Sequence, residues 1–165
     1  MAAKKYHLRR EDRSMSERSE LLEVIDKQRH MTIAMAKDNN PYLATVNYAF
    51  DESSNCFYFH CAGIGKKVDY LKSNSGVWGQ ILDDLGYMEG ECDHAYRTVQ
   101  FRGAAKLIFR RAEKRKALSL MIEKLEKNPG AAKKKFIKES SLSKVLTVRI
   151  DVKEMTGKSN MPGAN

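Results

Sequence analysis

Cysteine is scarce in this chain: Cys56, Cys61 and Cys92 are the only three, and they cannot all pair within one molecule. No disulfide framework is expected, and reduced, mostly buried thiols fit that count. No C-x-x-C occurs, and only Cys92-Asp93-His94 has metal-like spacing. A closed zinc site needs four ligands, and no second pair accompanies this one, so no metal is expected. No apolar run approaches the length needed to cross a bilayer. Met1 to Arg13 lacks the hydrophobic stretch of a secretory leader, which makes the cytoplasm the expected location. The Rossmann glycine signature is missing too, so no dinucleotide-binding domain of that kind is expected.

What is present is an ordinary soluble composition, 165 residues with 42% hydrophobic and 31% charged, enough for one self-sufficient core. A net charge of +9 raises the question of nucleic acid, but the charge is local. Residues 102–138 hold 13 basic and 3 acidic side chains, leaving 17 of the 30 basic and 18 of the 21 acidic residues elsewhere. That stretch lacks an RRM-like aromatic signature or a recognisable binding helix, and nucleic acid ranks last among the partners. A solvated helix face followed by a mobile loop, Ala131 to Ser143, is its simplest reading.

Residues 1–13 read as an extended arm. Ser14 and Glu17 have capping-box spacing, and Leu21, Leu22 and Ile25 share a helical face, which predicts a helix over Ser14–Lys27. Alternation predicts strands at His30–Ala36, from Leu43 to Phe50 and at Lys144–Val152; the aromatic-rich Cys56–Cys61 reads as another, and Val77–Leu82 and Tyr96–Phe109 as two more, with an irregular segment over Asp83–Ala95. A short helix is expected from Lys66 to Ser73. A longer one runs from Arg111 to Lys127, with Leu118, Met121, Ile122 and Leu125 as the stripe that docks on the sheet. Six strands with short turns and flanking helices describe a mainly β, closed or partly closed antiparallel barrel. One domain is expected over 1–158, followed by a flexible tail, 159–165.

Chemistry concentrates at Phe57-Tyr58-Phe59-His60-Cys61-Ala62-Gly63-Ile64-Gly65-Lys66-Lys67. Here a strand enters a glycine loop that opens a helix at two lysines, and free amides and the helix dipole favour an anion there. Only Ile64 separates the glycines and Lys67 follows Lys66, so this is not a Walker loop. A plain turn with two solvated lysines is the competing reading. His60 is suited to donating or relaying a proton near neutral pH, or is a strand-end histidine bonded to backbone. Cys61 is no nucleophile partner for it, since adjacent strand residues point to opposite faces. Trp78, the single tryptophan, reads as core or dimer packing.

The ordered set of motifs resembles the pyridoxamine-phosphate-oxidase-like flavoproteins, in particular the nitroimidazole-resistance type. Pro41-Tyr42-Leu43-Ala44-Thr45-Val46-Asn47-Tyr48 is similar to the family's second barrel strand, and Tyr58 to Ala62 with Gly65-Lys66-Lys67 to its histidine and phosphate segment. Tyr96-Arg97-Thr98-Val99 leading to Gly103-Ala104-Ala105, then Arg149-Ile150-Asp151 and Glu154 to Lys158, resemble the later strands. The opening Arg9-Arg10-Glu11-Asp12-Arg13 is similar as well.

This resemblance implies a six-stranded FMN-binding split β-barrel, homodimeric, with the flavin between protomers. Lys66 and Lys67 would hold the phosphate, Thr45, Val46 and Asn47 would lie along the ring, Arg97 and Thr98 would add polar contacts, and His60 would be the catalytic candidate. It further implies an oxidoreductase passing electrons from NADH or NADPH through FMN to a small acceptor such as a nitroaromatic. The alternative is a flavin carrier or redox sensor without turnover, and another phosphorylated cofactor stays open. True pyridoxamine-phosphate oxidase activity is not expected, because the arginine and histidine pattern those enzymes carry near the C-terminus is missing here.

Overall fold

The computed structural model describes residues 10–162; the first nine residues of the expected arm and the last three of the tail lie outside them. After a 3-10 turn at Glu11–Arg13 come β1 (Ser14–Met15), α1 (Arg18–Lys27), β2 (His30–Lys37), β3 (Asn40–Asn47), β4 (Ala49–Asp51) and β5 (Cys56–Cys61). Then follow α2 (Lys66–Ser73), β6 (Gly76–Met88), β7 (Asp93–Ile108), α3 (Arg111–Leu125), α4 (Pro129–Phe136), α5 (Glu139–Leu142) and β8 (Leu146–Asn160). The strands form one antiparallel sheet in the order β3-β2-β6-β7-β8-β5-β4, with β1 paired to β8.

The sheet has eight strands rather than six. One addition is the two-residue β1; the other arises because the expected Leu43–Phe50 strand is two. β3 pairs with β2 and β4 pairs with β5, so the chain crosses from one edge of the sheet to the other between Asn47 and Ala49. Tyr48 makes the crossing: it is fully buried and its hydroxyl donates to the Ile25 carbonyl at 2.7 Å. The sheet curls, and β3 and β5 meet across the gap.

Inside the curl sit Ile33, Phe57, Phe59, Ile81, Val99, Phe101 and Ile150, with Phe57 and Phe101 stacked at 4.3 Å. Full burial of such side chains is worth roughly 1.5–3 kcal/mol each. At Gly103, where the β7–β8 register shifts, any Cβ would strike the Asp151 carbonyl, so the bend needs glycine. Outside, α3 lies on β5, with Ala117 packed on Cys56 and Tyr58.

Several boundaries differ from the sequence reading. α1 begins at Arg18, and its capping box is Glu17 with Glu20 rather than Ser14 with Glu17, because Ser14 is taken up by β1. The segment Asp83–Ala95 is not irregular: β6 and β7 run through it around a bulge between Asp84 and Gly86. Its glycines and acids resemble a loop because they build that bulge and the tight turn beyond. The expected loop Ala131–Ser143 is largely α4 and α5, started by Asn128, whose side chain accepts from the Ala131 amide. β8 runs past Val152 to Asn160, so the tail's first two residues are strand; the buried Asn160 side chain donates to the His94 carbonyl at 2.7 Å. No helix is long and apolar enough to cross a membrane among the described residues.

Candidate functional site

The split between β3 and β5 is a groove of about 490 Å³. Thr45, Val46 and Asn47 form one wall and His60, Cys61 and Ala62 the other, with Lys67, Lys144 and Val145 closing the end. Because β3 ends the sheet, its outer edge has no strand to bond among the described residues and leaves main-chain donors and acceptors available. Thr45 and Asn47 point outward, while Val46 is turned into the core and contributes main chain. Thr45 Oγ1 lies 3.1 Å from Thr32 Oγ1, and Asn47 donates to the Arg29 carbonyl at 3.3 Å, so the wall is held in place.

The closed end is cationic. Gly65 caps α2 with φ of 131°, a conformation that favours glycine, and the space beside Gly63 and Gly65 is open. The first-turn amides of α2 have no partner within the helix. Of the two lysines expected here, only Lys67 lines the groove. The Lys66 ammonium instead lies 4.6 Å from the Tyr42 ring centre and 5.5 Å from that of Tyr70. The second groove cation is Lys144, at the entry to β8, which carries no ion pair among the described residues. Sequence reasoning missed it, since a lysine before a strand has no motif; only the fold carries it 77 positions back to Lys67.

His60 is open to solvent on one side, but burial of its other flank and then the nearby Lys67 charge lower its pKa below the ordinary value. Its neutral form is therefore favoured. Burial pushes the Cys61 thiol up, with Lys67 only partly opposing, which leaves it a poor nucleophile.

Arg97 and Thr98 are not in this groove. Arg97 shares its strand face with Val99 and Phe101 and is spent on Asp83, at 3.0 Å, and Glu23, at 2.9 Å. Thr98 faces the other way and donates to the Ile81 carbonyl at 3.1 Å. The residues present thus fit a ligand with a phosphate at one end and a flat, hydrogen-bonding body at the other. The volume lies within the roughly 300–1,000 Å³ of small-molecule sites.

Comparison with known proteins agrees with this architecture. The family model described as pyridoxamine 5'-phosphate oxidase matches residues 17–159. Among solved structures, a Bacteroides thetaiotaomicron protein provisionally assigned to 5-nitroimidazole antibiotic resistance superposes with a TM-score of 0.75 at 20% identity, over 88% of this chain and 85% of that one. The flavocytochrome Anf3 of Azotobacter vinelandii gives 0.75 at 14% identity, over 96% and 72%. A FAD-binding protein of Mesorhizobium loti gives 0.63 at 18% identity, over 87% and 95%. At these identities the likeness establishes the fold. None of the curated proteins matches the chain.

Proposed function

The chain belongs to the pyridoxamine 5'-phosphate oxidase family, and from that premise we propose that it is an FMN-dependent oxidoreductase of the nitroimidazole-resistance branch. One observation carries the reading: Thr45, Val46, Asn47, His60 and Lys67, singled out separately along the sequence, line a single groove together with a further cation, Lys144. Lys67, Lys144 and the first-turn amides of α2 would hold the phosphate, and the outer edge of β3 would receive the ring. A flavin held there would supply two-electron chemistry between a nicotinamide donor, NADH or NADPH, and a small acceptor such as a nitroaromatic. His60, uncharged near neutral pH, would pass a proton between solvent and the acceptor.

Magnitudes support dividing the work this way. Micromolar binding needs about 8 kcal/mol. Two charge-assisted contacts at roughly 1.5–3 kcal/mol each fall short, so the ring wall must contribute the rest.

The outer face of β2, β3 and β6 supports a homodimer. Leu43, Ala34 and Trp78 are registered side by side across the three strands, and Leu43 is 65% and Trp78 44% exposed. An apolar row of this kind, with Leu82 also exposed, fits a protein interface. A second copy there would complete the groove from outside and bring its own Thr98 face towards the first copy.

An absorbance spectrum of the purified protein, with mass identification of whatever is released on denaturation, tests the cofactor. A flavin band with FMN released is expected, and saturable reduction by NADH or NADPH should follow. A colourless protein that takes up no added FMN overturns the proposal. Bound FMN that nicotinamides reduce only slowly and without saturation would make the chain a flavin carrier instead.

A further inference from the structure

The apolar stripe of α3 does not close on the sheet. Ala117 is buried against β5, but Leu118, Met121, Ile122 and Leu125 line a separate chamber of about 330 Å³. Phe136 of α4 and Val145 complete its apolar wall. Packed interiors leave few holes larger than a water molecule, and this volume falls within the roughly 300–1,000 Å³ of small-molecule sites. An apolar cavity of roughly half the size stays dry and takes up one benzene ring, so two fused rings have room here.

No lysine or arginine lines the chamber, and Glu126 is its only charged side chain. An anion entering would exchange water for apolar walls with no cation to meet it, a cost that an uncharged ring avoids. Glu126 is itself exposed to water, which screens its pull on a cation. Two polar groups remain for a ligand. His60 forms part of the wall, and neither of its ring nitrogens is hydrogen-bonded among the described residues. Burial of one flank favours its neutral form, which offers one donor and one acceptor. Ser141 of α5 adds a hydroxyl.

Through Phe136 and Ser141, α4 and α5 cover the chamber. Ion pairs from Arg115 to Glu139, at 2.7 Å, from Arg111 to Glu139, at 3.2 Å, and from Lys133 to Glu123 hold this cover on α3. Exposed pairs of this kind are individually weak, so the cover can yield to a ligand.

We infer that this chamber binds a small uncharged aromatic compound of two fused rings with a hydroxyl, the rings between α3 and Phe136 and the hydroxyl towards His60 and Ser141. The inference stands apart from the flavin reading. The chamber and the groove share only His60 and Val145 as a common wall, so occupancy is measurable whether or not flavin is held.

The test is calorimetric titration of the purified full chain, carrying whatever flavin it holds, with 1-naphthol and with the anion 1-naphthoate. Naphthol should bind, about tenfold or more tighter than naphthoate, a measurable step in affinity, and should displace no flavin. Glu126→Gln should narrow that gap by admitting naphthoate more readily. Ile122→Trp, which fills the chamber, should weaken naphthol by about tenfold or more. Phe136→Ala and His60→Leu should each weaken it severalfold. Phe136 is half-exposed on the cover, so that variant decides the matter should Ile122→Trp fail to fold. Naphthoate binding as tightly as naphthol overturns the inference, as does naphthol that displaces flavin or binds equally well to Phe136→Ala and the unaltered chain. No naphthol binding, with a dimer that Phe136→Ala dissociates, overturns it too and gives the chamber to a second copy. FMN retained without naphthol binding removes this inference alone. Naphthol binding in a chain that takes up no FMN keeps it and removes the flavin reading.

Discussion

Asp83 and Arg97 face each other across the β6–β7 hairpin, joined at 3.0 Å, and tie it to the first helix. Asp83 is 2% exposed and also accepts from Gln28 at 2.7 Å and pairs with Lys27 at 2.9 Å; Arg97 reaches on to Glu23. Burial alone would raise the Asp83 pKa, but the hydrogen bonds from Lys27 and Arg97 prevail and lower it. Breaking a buried pair by removing one partner costs roughly 3–5 kcal/mol, less where other partners remain. Arg97→Ala should therefore cost about 2–3 kcal/mol in denaturant unfolding. If the folded variant takes up FMN as tightly as the unaltered chain, Arg97 serves the scaffold alone; weakened FMN uptake would restore it to the site.

Asp51 sets part of the acid stability. Burial opposes its charge, but hydrogen bonds from Lys116 and from Ser53, the latter at 2.7 Å, outweigh burial and hold its pKa at about 2. The unfolded group titrates near 3.8, so between these values the unfolded chain binds more protons and stability rises with pH. The contribution, about 2 kcal/mol, is complete above roughly pH 5 and lost as the pH falls through the folded value. Asp51→Asn should lose that amount at pH 7 and flatten the acid limb of the stability curve.

Much of this architecture was legible in the sequence, and where it was not, the cause is local. The period-two run at His30–Ala36 located β2 to within a residue because one of its faces is core, and the aromatic run at Cys56–Cys61 located β5 because both of its faces are covered, one by the core and one by α3. The crossing at Tyr48 was hidden: alternation continues through it, and pairing with opposite edges of a sheet leaves no mark on a single strand. Likewise the groove was readable as separate pieces, and His60, Lys67 and Thr45 were named before the fold joined them. Lys144 and the roles of Lys66 and Arg97 depend on partners far away in sequence, which no spacing encodes.

The two loop lysines should separate in a flavin titration. Lys67→Ala removes a groove cation and should weaken FMN by roughly tenfold or more, the range of one charge-assisted bond. Lys66→Ala loses contacts to Tyr42 and Tyr70 worth about 0.5–1 kcal/mol. It should lower stability slightly and leave FMN affinity close to that of the unaltered chain. Equal effects on FMN would mean that both lysines reach the phosphate.

His60 makes a pH prediction whose sign follows from its surroundings. Burial and the Lys67 charge lower its pKa, so the folded chain favours the neutral ring to a lower pH than a free histidine would. Turnover that uses the neutral ring should therefore hold from neutral pH down to below about 6.5 and fall only under the shifted value. Lys67→Met removes the second of the two causes and should move that fall towards higher pH. His60→Gln should abolish the step altogether while leaving FMN bound. An acid limb that survives in His60→Gln would assign the ionisation to another group.

Thr147→Val tests whether the buried hydroxyl opposite His60 in the β5–β8 ladder is unsatisfied in the folded chain. Valine keeps the shape and removes a buried group that has no hydrogen-bond partner among the described residues. Leaving such a group unsatisfied costs about 1–3 kcal/mol, so the ligand-free variant should melt a few degrees higher. A lower melting temperature would show that the hydroxyl is bonded in the free protein.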